Sequence, residues 1–260
     1  MSTANPIKIT VYPPALQGKG AFDNGKITEI KPIGFPQDRS HTTRIGPLFY
    51  WAWASANGDG LIALHPHQGF EIISYVLKGE IGHSDTLGNK YRIGAGGAQV
   101  MQTGSGVYHQ EEMFGERTEF FQIWFEPNLR ESLKKQPTYN QYSHEEFPET
   151  VQNGVKIKTI LGRESLIVLD AEAEMADIEI EPGKTYEHSL AGGHSLTVVT
   201  VLGNGKWLDD SGNEYSISKK DFTVIDAEKS ATVRVTATGE VRLHIVLIEI
   251  PREVNYPLYD

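Results

Sequence analysis

Residues 70–101 read FEIISYVLKGEIGHSDTLGNKYRIGAGGAQVM, and this stretch decides the fold. Short runs rich in β-branched and aromatic residues, Glu71 to Leu77, Ile81 to Ser84, Tyr91 to Ile93 and Ala98 to Met101, are each cut off by glycine. The breaks at Lys78-Gly79, Leu87-Gly88-Asn89 and Gly94-Ala95-Gly96-Gly97 supply the positive-φ positions that tight hairpins need. With a further run from Glu119 to Phe125, the pattern predicts an all-β chain built on a small antiparallel barrel or sandwich. Helix-period stretches are few, and the best, Asn128 to Gln136, predicts only a turn or two.

The pattern recurs along the chain. Gly79, Asp85, Gly88, Tyr91 and Ile93 are matched by Gly203, Asp209, Gly212, Tyr215 and Ile217, each 124 positions later. Five matches in one gapless register predict one β unit used twice. The polar stretch 127–154 alternates little and reads as the connector, which divides the chain into domains 1–140 and 141–260. Near the N-terminus, Ile7 to Tyr12 is strand-like and ends at Pro13-Pro14; it can extend a sheet of either half.

Two triplets flank the hairpins of the first half, His65-Pro66-His67 and His109-Gln110-Glu111. Each places two metal-competent side chains two residues apart, a spacing that points both to one face of a strand. If the hairpins fold back, four ligands converge. Imidazole with one carboxylate suits Fe(II), Mn, Ni, Cu or Zn, with Fe(II) the expected ion, and leaves coordination sites for water, dioxygen or substrate. Glu71 shares the strand parity of His67 and competes with Glu111 for the carboxylate position, unless a bulge at Gly69 turns it away. His83 and His144 are expected at solvated hairpin and linker positions, and His41 and His244 as hydrogen-bonded structural residues.

The repeat supplies an internal control. Moving the four candidate ligands by 124 positions lands on Ser189, Ala191, Val233 and Val235, none of them a ligand in this pattern. His188 and His194 lie nearby but out of register, so a single metal ion is expected, in the first half.

Composition limits the alternatives. With 260 residues, either one large domain or two of half that size can bury a core without help from a metal. A formal charge of -10, from 24 Lys+Arg against 34 Asp+Glu, disfavours direct contact with nucleic acid. The absence of cysteine removes disulfides and thiolate sites and fits a cytoplasmic protein. Neither a basic-then-apolar leader nor an apolar run of membrane-spanning length occurs, so the expectation is no secretory signal and no membrane. No Gly-x-Ser-x-Gly elbow is present, and Gly94-x-Gly96-Gly97 lacks the strand-to-helix context of a dinucleotide loop.

The segment from Gly60 to Gly79 resembles the first conserved motif of the cupin superfamily. Within it, His65-Pro66-His67-Gln68-Gly69-Phe70-Glu71 followed by Ser74-Tyr75-Val76-Leu77-Lys78-Gly79 is similar to the signature of the pirin family of bicupins. The run Met101 to Glu111, then Phe121-Gln122-Ile123-Trp124 and Pro137-Thr138-Tyr139, resembles that family's continuation. The resemblance is specific from about Gly60 to Tyr139 and weaker beyond.

This resemblance implies two tandem cupin domains, each an antiparallel β-barrel of jelly-roll type, with one metal in the first and none in the second. Carried over by position, His65, His67, His109 and Glu111 are the ligands and Glu71 is not coordinated. It also implies a small-molecule substrate and dioxygen as partners, in a dioxygenase of the quercetin 2,3-dioxygenase type acting on a flavonol-like or enol substrate. There Glu111, or a nearby base, takes the proton of the substrate hydroxyl. The alternative is a non-enzymatic, metal- or redox-sensing regulator that binds a protein partner. Gln68 departs from the family, where a basic residue commonly follows the His-Pro-His triplet.

Overall fold

The structure, a computed structural model, describes residues 7–209 and 211–259. Strand is the dominant element, joined by loops and short helical turns. In order the strands are β1 (Ile7–Tyr12), β2 (Gly18–Phe22), β3 (Ile27–Ile33), β4 (Leu48–Asn57), β5 (Gly60–His67), β6 (Glu71–Asp85), β7 (Lys90–Gly94), β8 (Ala98–Gln102) and β9 (Val107–Phe125). One helical turn, α1 (Leu129–Ser132), follows, capped by the Asn128 side chain, which accepts from the Arg130 N–H at 3.2 Å. Then come β10 (Thr138–Tyr142), β11 (Glu149–Gln152), β12 (Val155–Leu161), β13 (Glu174–Ile180), β14 (Thr185–Leu190) and β15 (His194–Leu202). The last are β16 (Asn204–Leu208), β17 (Glu214–Ser218), β18 (Phe222–Ala227), β19 (Ala231–Ala237) and β20 (Leu243–Pro251).

Two compact units form. The first holds residues 16–147 with the short segments 168–172 and 255–259; the second holds 7–15, 148–167 and 173–254. The sequence-based division into 1–140 and 141–260 differs in two ways: the chain passes between units at Phe147/Pro148, and β1 belongs to the second unit's sheet. Alternation of side chains assigns a strand a face but not a partner, so the sequence left β1 open between the halves. The stretch read as connector also contributes two strands, β10 and β11.

Strand order in the first unit is β10-β8-β6-β9-β4-β3-β2, with β5 on β9 and β7 on β6. In the second it is β1-β18-β15-β20-β13-β12-β11, with a four-stranded sheet β14-β19-β16-β17. The orders coincide once β6 is matched to β15 and β16 together, and β9 to β19 and β20. All pairings are antiparallel, the connectivity of a jelly roll. The duplication read from five residues is therefore a duplication of topology.

Gly79 marks where the long strand bends. The sequence reading placed a hairpin there, but β6 runs on past it, with register shifts on either side. Gly79 and Gly203 share φ +79°, and a Cβ on Gly79 would meet the Arg117 carbonyl at 2.7 Å. Only glycine fits such a bend. The true hairpins fall at Gly88 and Gly212, where His83 faces Tyr91 and Trp207 faces Tyr215. Asp85 accepts from the Leu87 and Asn89 N–H groups as Asp209 does from Ser211 and Asn213.

Core residues follow the inward face of each unit. Ile27, Val76, Ile81, Met113 and Phe120 pack together in the first, and Ile178, Leu196, Val198, Trp207, Val233 and Val235 in the second. No helix among the described residues is long and apolar enough to cross a membrane.

Candidate metal centre

Pairing of β5 with β9 brings the two triplets together. His65 lies directly opposite His109 in the ladder and His67 opposite Val107. Ligand atoms of His65, His67 and His109 all fall within 4.8 Å of one another. His67 is 9% exposed and His109 fully buried, while His65 is half-buried.

Hydrogen bonds set which nitrogen of each ring is free. His65 Nδ1 donates to the Ala63 carbonyl at 2.8 Å, so its Nε2 carries a lone pair. His83 Nε2 donates to Asp85 at 2.8 Å, which makes His83 Nδ1 an acceptor for His109 Nδ1 at 3.4 Å. His109 Nε2 is then also bare, and it faces His65 Nε2 at 3.0 Å. Two acceptors this close without a proton between them repel, and a cation relieves the repulsion. His67 Nε2 is buried with no hydrogen-bond partner. The donor set therefore fits a metal ion on three counts. Burial, then the neighbouring imidazoles, pulls His67 down to about 4 and His109 to about 2, so both rings are neutral and ligand-ready at pH 7.

Glu111 sits two residues along β9 from His109 on the same buried face, but it is not among the grouped atoms. Its carboxylate accepts from Gln122 Nε2 at 3.0 Å on each oxygen and lies 3.3 Å from Ser74 Oγ, which in turn donates to Gln122 Oε1 at 2.5 Å. Full burial outweighs these bonds and pushes the carboxyl up to about 7. The structure thus brings three of the four expected ligands together and holds the fourth alongside.

Glu71 is settled by geometry. Gly69 adopts φ +85°, and the Glu71 carboxylate accepts from Gln102 Nε2 and from the Asp170 and Ala171 N–H groups at 2.6 to 2.8 Å. It fastens the segment 168–172 rather than a metal.

His83 corrects the sequence reading. Expected at a solvated hairpin, it is 3% exposed, stacked on Tyr139 at 4.1 Å and clamped between Asp85 and His109. The missed signal was the spacing His83-x-Asp85, which puts a carboxylate on the ring's own face two residues on. His244 is a paired structural residue, 2.6 Å from Asp177. A space of about 10 Å3 remains beside Glu111, bordered by Gln99, whose buried Nε2 has no partner.

The ladder also refines the control supplied by the second unit. His188 faces Val233 as His65 faces His109, so His188 is the counterpart of His65. It looked out of register because Leu190 and Ser195 are one residue farther apart than His67 and Glu71. Leu190, Val233 and Val235 hold the places of His67, His109 and Glu111. The only His/Asp/Glu group of metal-binding geometry among the described residues is His65, His67 and His109.

Comparison with known proteins agrees with this picture. The profile of the Pirin family matches residues 52–125. A pirin-like protein of Caulobacter vibrioides is 34% identical over 186 residues, which cover 70% of this chain and 75% of that one. Among solved structures, the bacterial pirin YhhW of Escherichia coli in complex with nickel(II) superposes with a TM-score of 0.77 at 22% identity, covering 94% of this chain and 99% of that one. A quercetin 2,3-dioxygenase from Acinetobacter baumannii gives 0.76 at 18% identity, covering 94% and 79%. The aligned stretch spans about three-fifths of the length of several curated relatives.

Proposed function

The chain belongs to the pirin family, and we propose that it is a metal-dependent dioxygenase of the quercetin 2,3-dioxygenase type, taking Fe(II) and acting in the cytoplasm on a flavonol-like or enol substrate. The observation that carries this reading is the group of three imidazoles, with bare nitrogens of His65 and His109 face to face at 3.0 Å and His67 Nε2 buried without a partner. His65, His67 and His109 hold the ion, and Glu111 completes the set. Bound there, the metal supplies a Lewis acid for the ionised substrate oxygen and a redox partner for dioxygen.

The protein's own groups do the rest. His83 and Asp85 hold the His109 ring with its Nε2 inward. Glu111, raised to about 7, is basic enough to take the substrate hydroxyl proton near neutrality, and Gln122 and Ser74 receive the carboxyl in either state. Trp124, edge-on to His67 at 4.9 Å, gives the site an apolar wall that excludes water.

The test is to load the protein fully with iron, mix it anaerobically with quercetin and admit air. Bleaching of the flavonol band with release of carbon monoxide is expected; no turnover by a loaded sample defeats the proposal. A second reading, the non-enzymatic regulator, draws on the tight packing beside Glu111, where a space of about 10 Å3 takes a water-sized group. Pull-downs with ferrous and ferric protein decide it, since an unchanged partner set removes the switch.

A further inference from the structure

The second unit has a cavity of its own, about 280 Å3, away from any residue of the metal centre. Leu161, Met175 and Leu247 form apolar walls, and Tyr186 and His188 line it from β14. The ladder shows where it comes from. In the first unit Tyr50 faces Trp124, stacked at 4.4 Å, and Phe70 joins them, stacked on Trp124 at 6.2 Å. The second unit has Glu174 facing Glu249 at those positions, with His194 in the place of Phe70. At these three positions one unit packs aromatic side chains and the other has two carboxylates and an imidazole, with Glu174 in the cavity lining.

The polar groups say what a ligand must offer. Glu249 accepts from His188 Nε2 at 2.7 Å and from the Ala191 N–H at 3.2 Å, and His194 Nδ1 lies 3.0 Å away outside hydrogen-bonding geometry. On its other side His188 Nδ1 lies 3.0 Å from the Tyr186 hydroxyl, within hydrogen-bond reach. A hydroxyl can both give and accept, so with one of its bonds taken by His188 the Tyr186 oxygen still has a hydrogen bond to share with a ligand that can play either part. Glu164 and Glu174 against Arg163 give the lining an acidic balance that disfavours a carboxylate.

We propose that this cavity binds a single-ring aromatic molecule bearing a hydroxyl group, its ring against Met175 and Leu247 and its hydroxyl hydrogen-bonded to that of Tyr186. The volume is at the lower limit of small-molecule pockets, roughly 300 Å3, which suits one ring rather than several. Nothing in this site depends on the metal.

Phenol is the probe, followed by saturation-transfer NMR on the metal-loaded full chain, with benzoate as the anionic control. Phenol should give a saturable signal, retained in His109→Ala, lost in Ala176→Leu, which fills the cavity, and weakened roughly three- to tenfold in Tyr186→Phe, the loss of one hydrogen bond. Metal content should be unchanged in the last two variants. Absence of phenol binding, equal binding of benzoate, or an unaltered affinity in Tyr186→Phe overturns the proposal; the last variant removes one oxygen, so it still decides the matter if Ala176→Leu does not fold.

Discussion

In the first unit Ser74 pairs with Gln122 and His83 with Glu111; at the same ladder positions the second unit pairs Val198 with Leu247 and Trp207 with Val235. At the outer position the exchange runs the other way, Tyr50 with Trp124 against Glu174 with Glu249. Strand order, hairpin register and the glycine bends are common to both. The jelly roll therefore does not prescribe which face of its interior is polar. Each unit pairs most of its buried polar groups in its own way, and the first leaves His67 Nε2 open at the candidate metal centre. The metal centre is a set of side chains on a scaffold that exists equally well without it.

The largest expected effect comes from removing the residue whose counterpart is Val233. His109→Ala deletes one bare nitrogen and the hydrogen bond from the ligands to His83, and elemental analysis should show metal falling from near stoichiometric to near none. A variant retaining full occupancy refutes the ligand assignment. Next is His83→Ala, which leaves the three ligands but frees the His109 ring; loss of such an outer partner costs about 10- to 100-fold in metal affinity, readable by chelator competition.

Making the first interior into the second separates chemistry from stability. Glu111→Val alone leaves the Gln122 Nε2 group buried without its acceptor, a cost of about 1–3 kcal/mol in urea unfolding of the metal-free protein. Adding Ser74→Val and Gln122→Leu, the residues the second unit uses, should recover most of that loss while leaving the protein inactive. If the triple variant is less stable than Glu111→Val, the polar cluster is part of what holds this unit together and the two interiors are not interchangeable.

Much of this comparison could be read from the chain. Gly79, Asp85 and Gly88 announced the repeat because a positive-φ bend and an Asx turn demand particular residues at fixed offsets. His65, His67 and His109 were legible for a similar reason, as ligand spacing on a strand is a matter of parity. The fate of β1 was not, since any half-buried strand can pair with any open edge. Nor was the role of His188, because one extra turn residue shifts the register and only the ladder reveals it. Glu71 and Glu111 had the same parity relative to their histidines, so parity could not choose between them, and only the resemblance favoured Glu111.

The smallest expected effect is in pH dependence, where the two units should differ. In metal-free protein, His67 and His109 have folded-state values lowered to about 4 and about 2, so unfolding takes up protons as pH falls below their ordinary 6.5. Their contribution is present above 6.5 and is lost as pH falls towards 4. Glu111 runs the other way: raised from 4.5 to about 7, it binds a proton in the folded state that the unfolded chain gives up, so its contribution is present below 4.5 and lost as pH rises through 7. Between 4.5 and 6.5 these two histidines oppose this one carboxyl, and the joint contribution of the three should rise with pH by the balance of one proton, roughly 1.4 kcal/mol per pH unit. Glu111→Val removes the opposing group and should steepen that rise in β9, while β19, with Val233 and Val235 at the same places, should be insensitive. Native-state hydrogen exchange across this range reads both strands in one sample. Equal slopes in β9 and β19 would mean that the buried titrating groups of the first unit are not what distinguishes its energetics from the second.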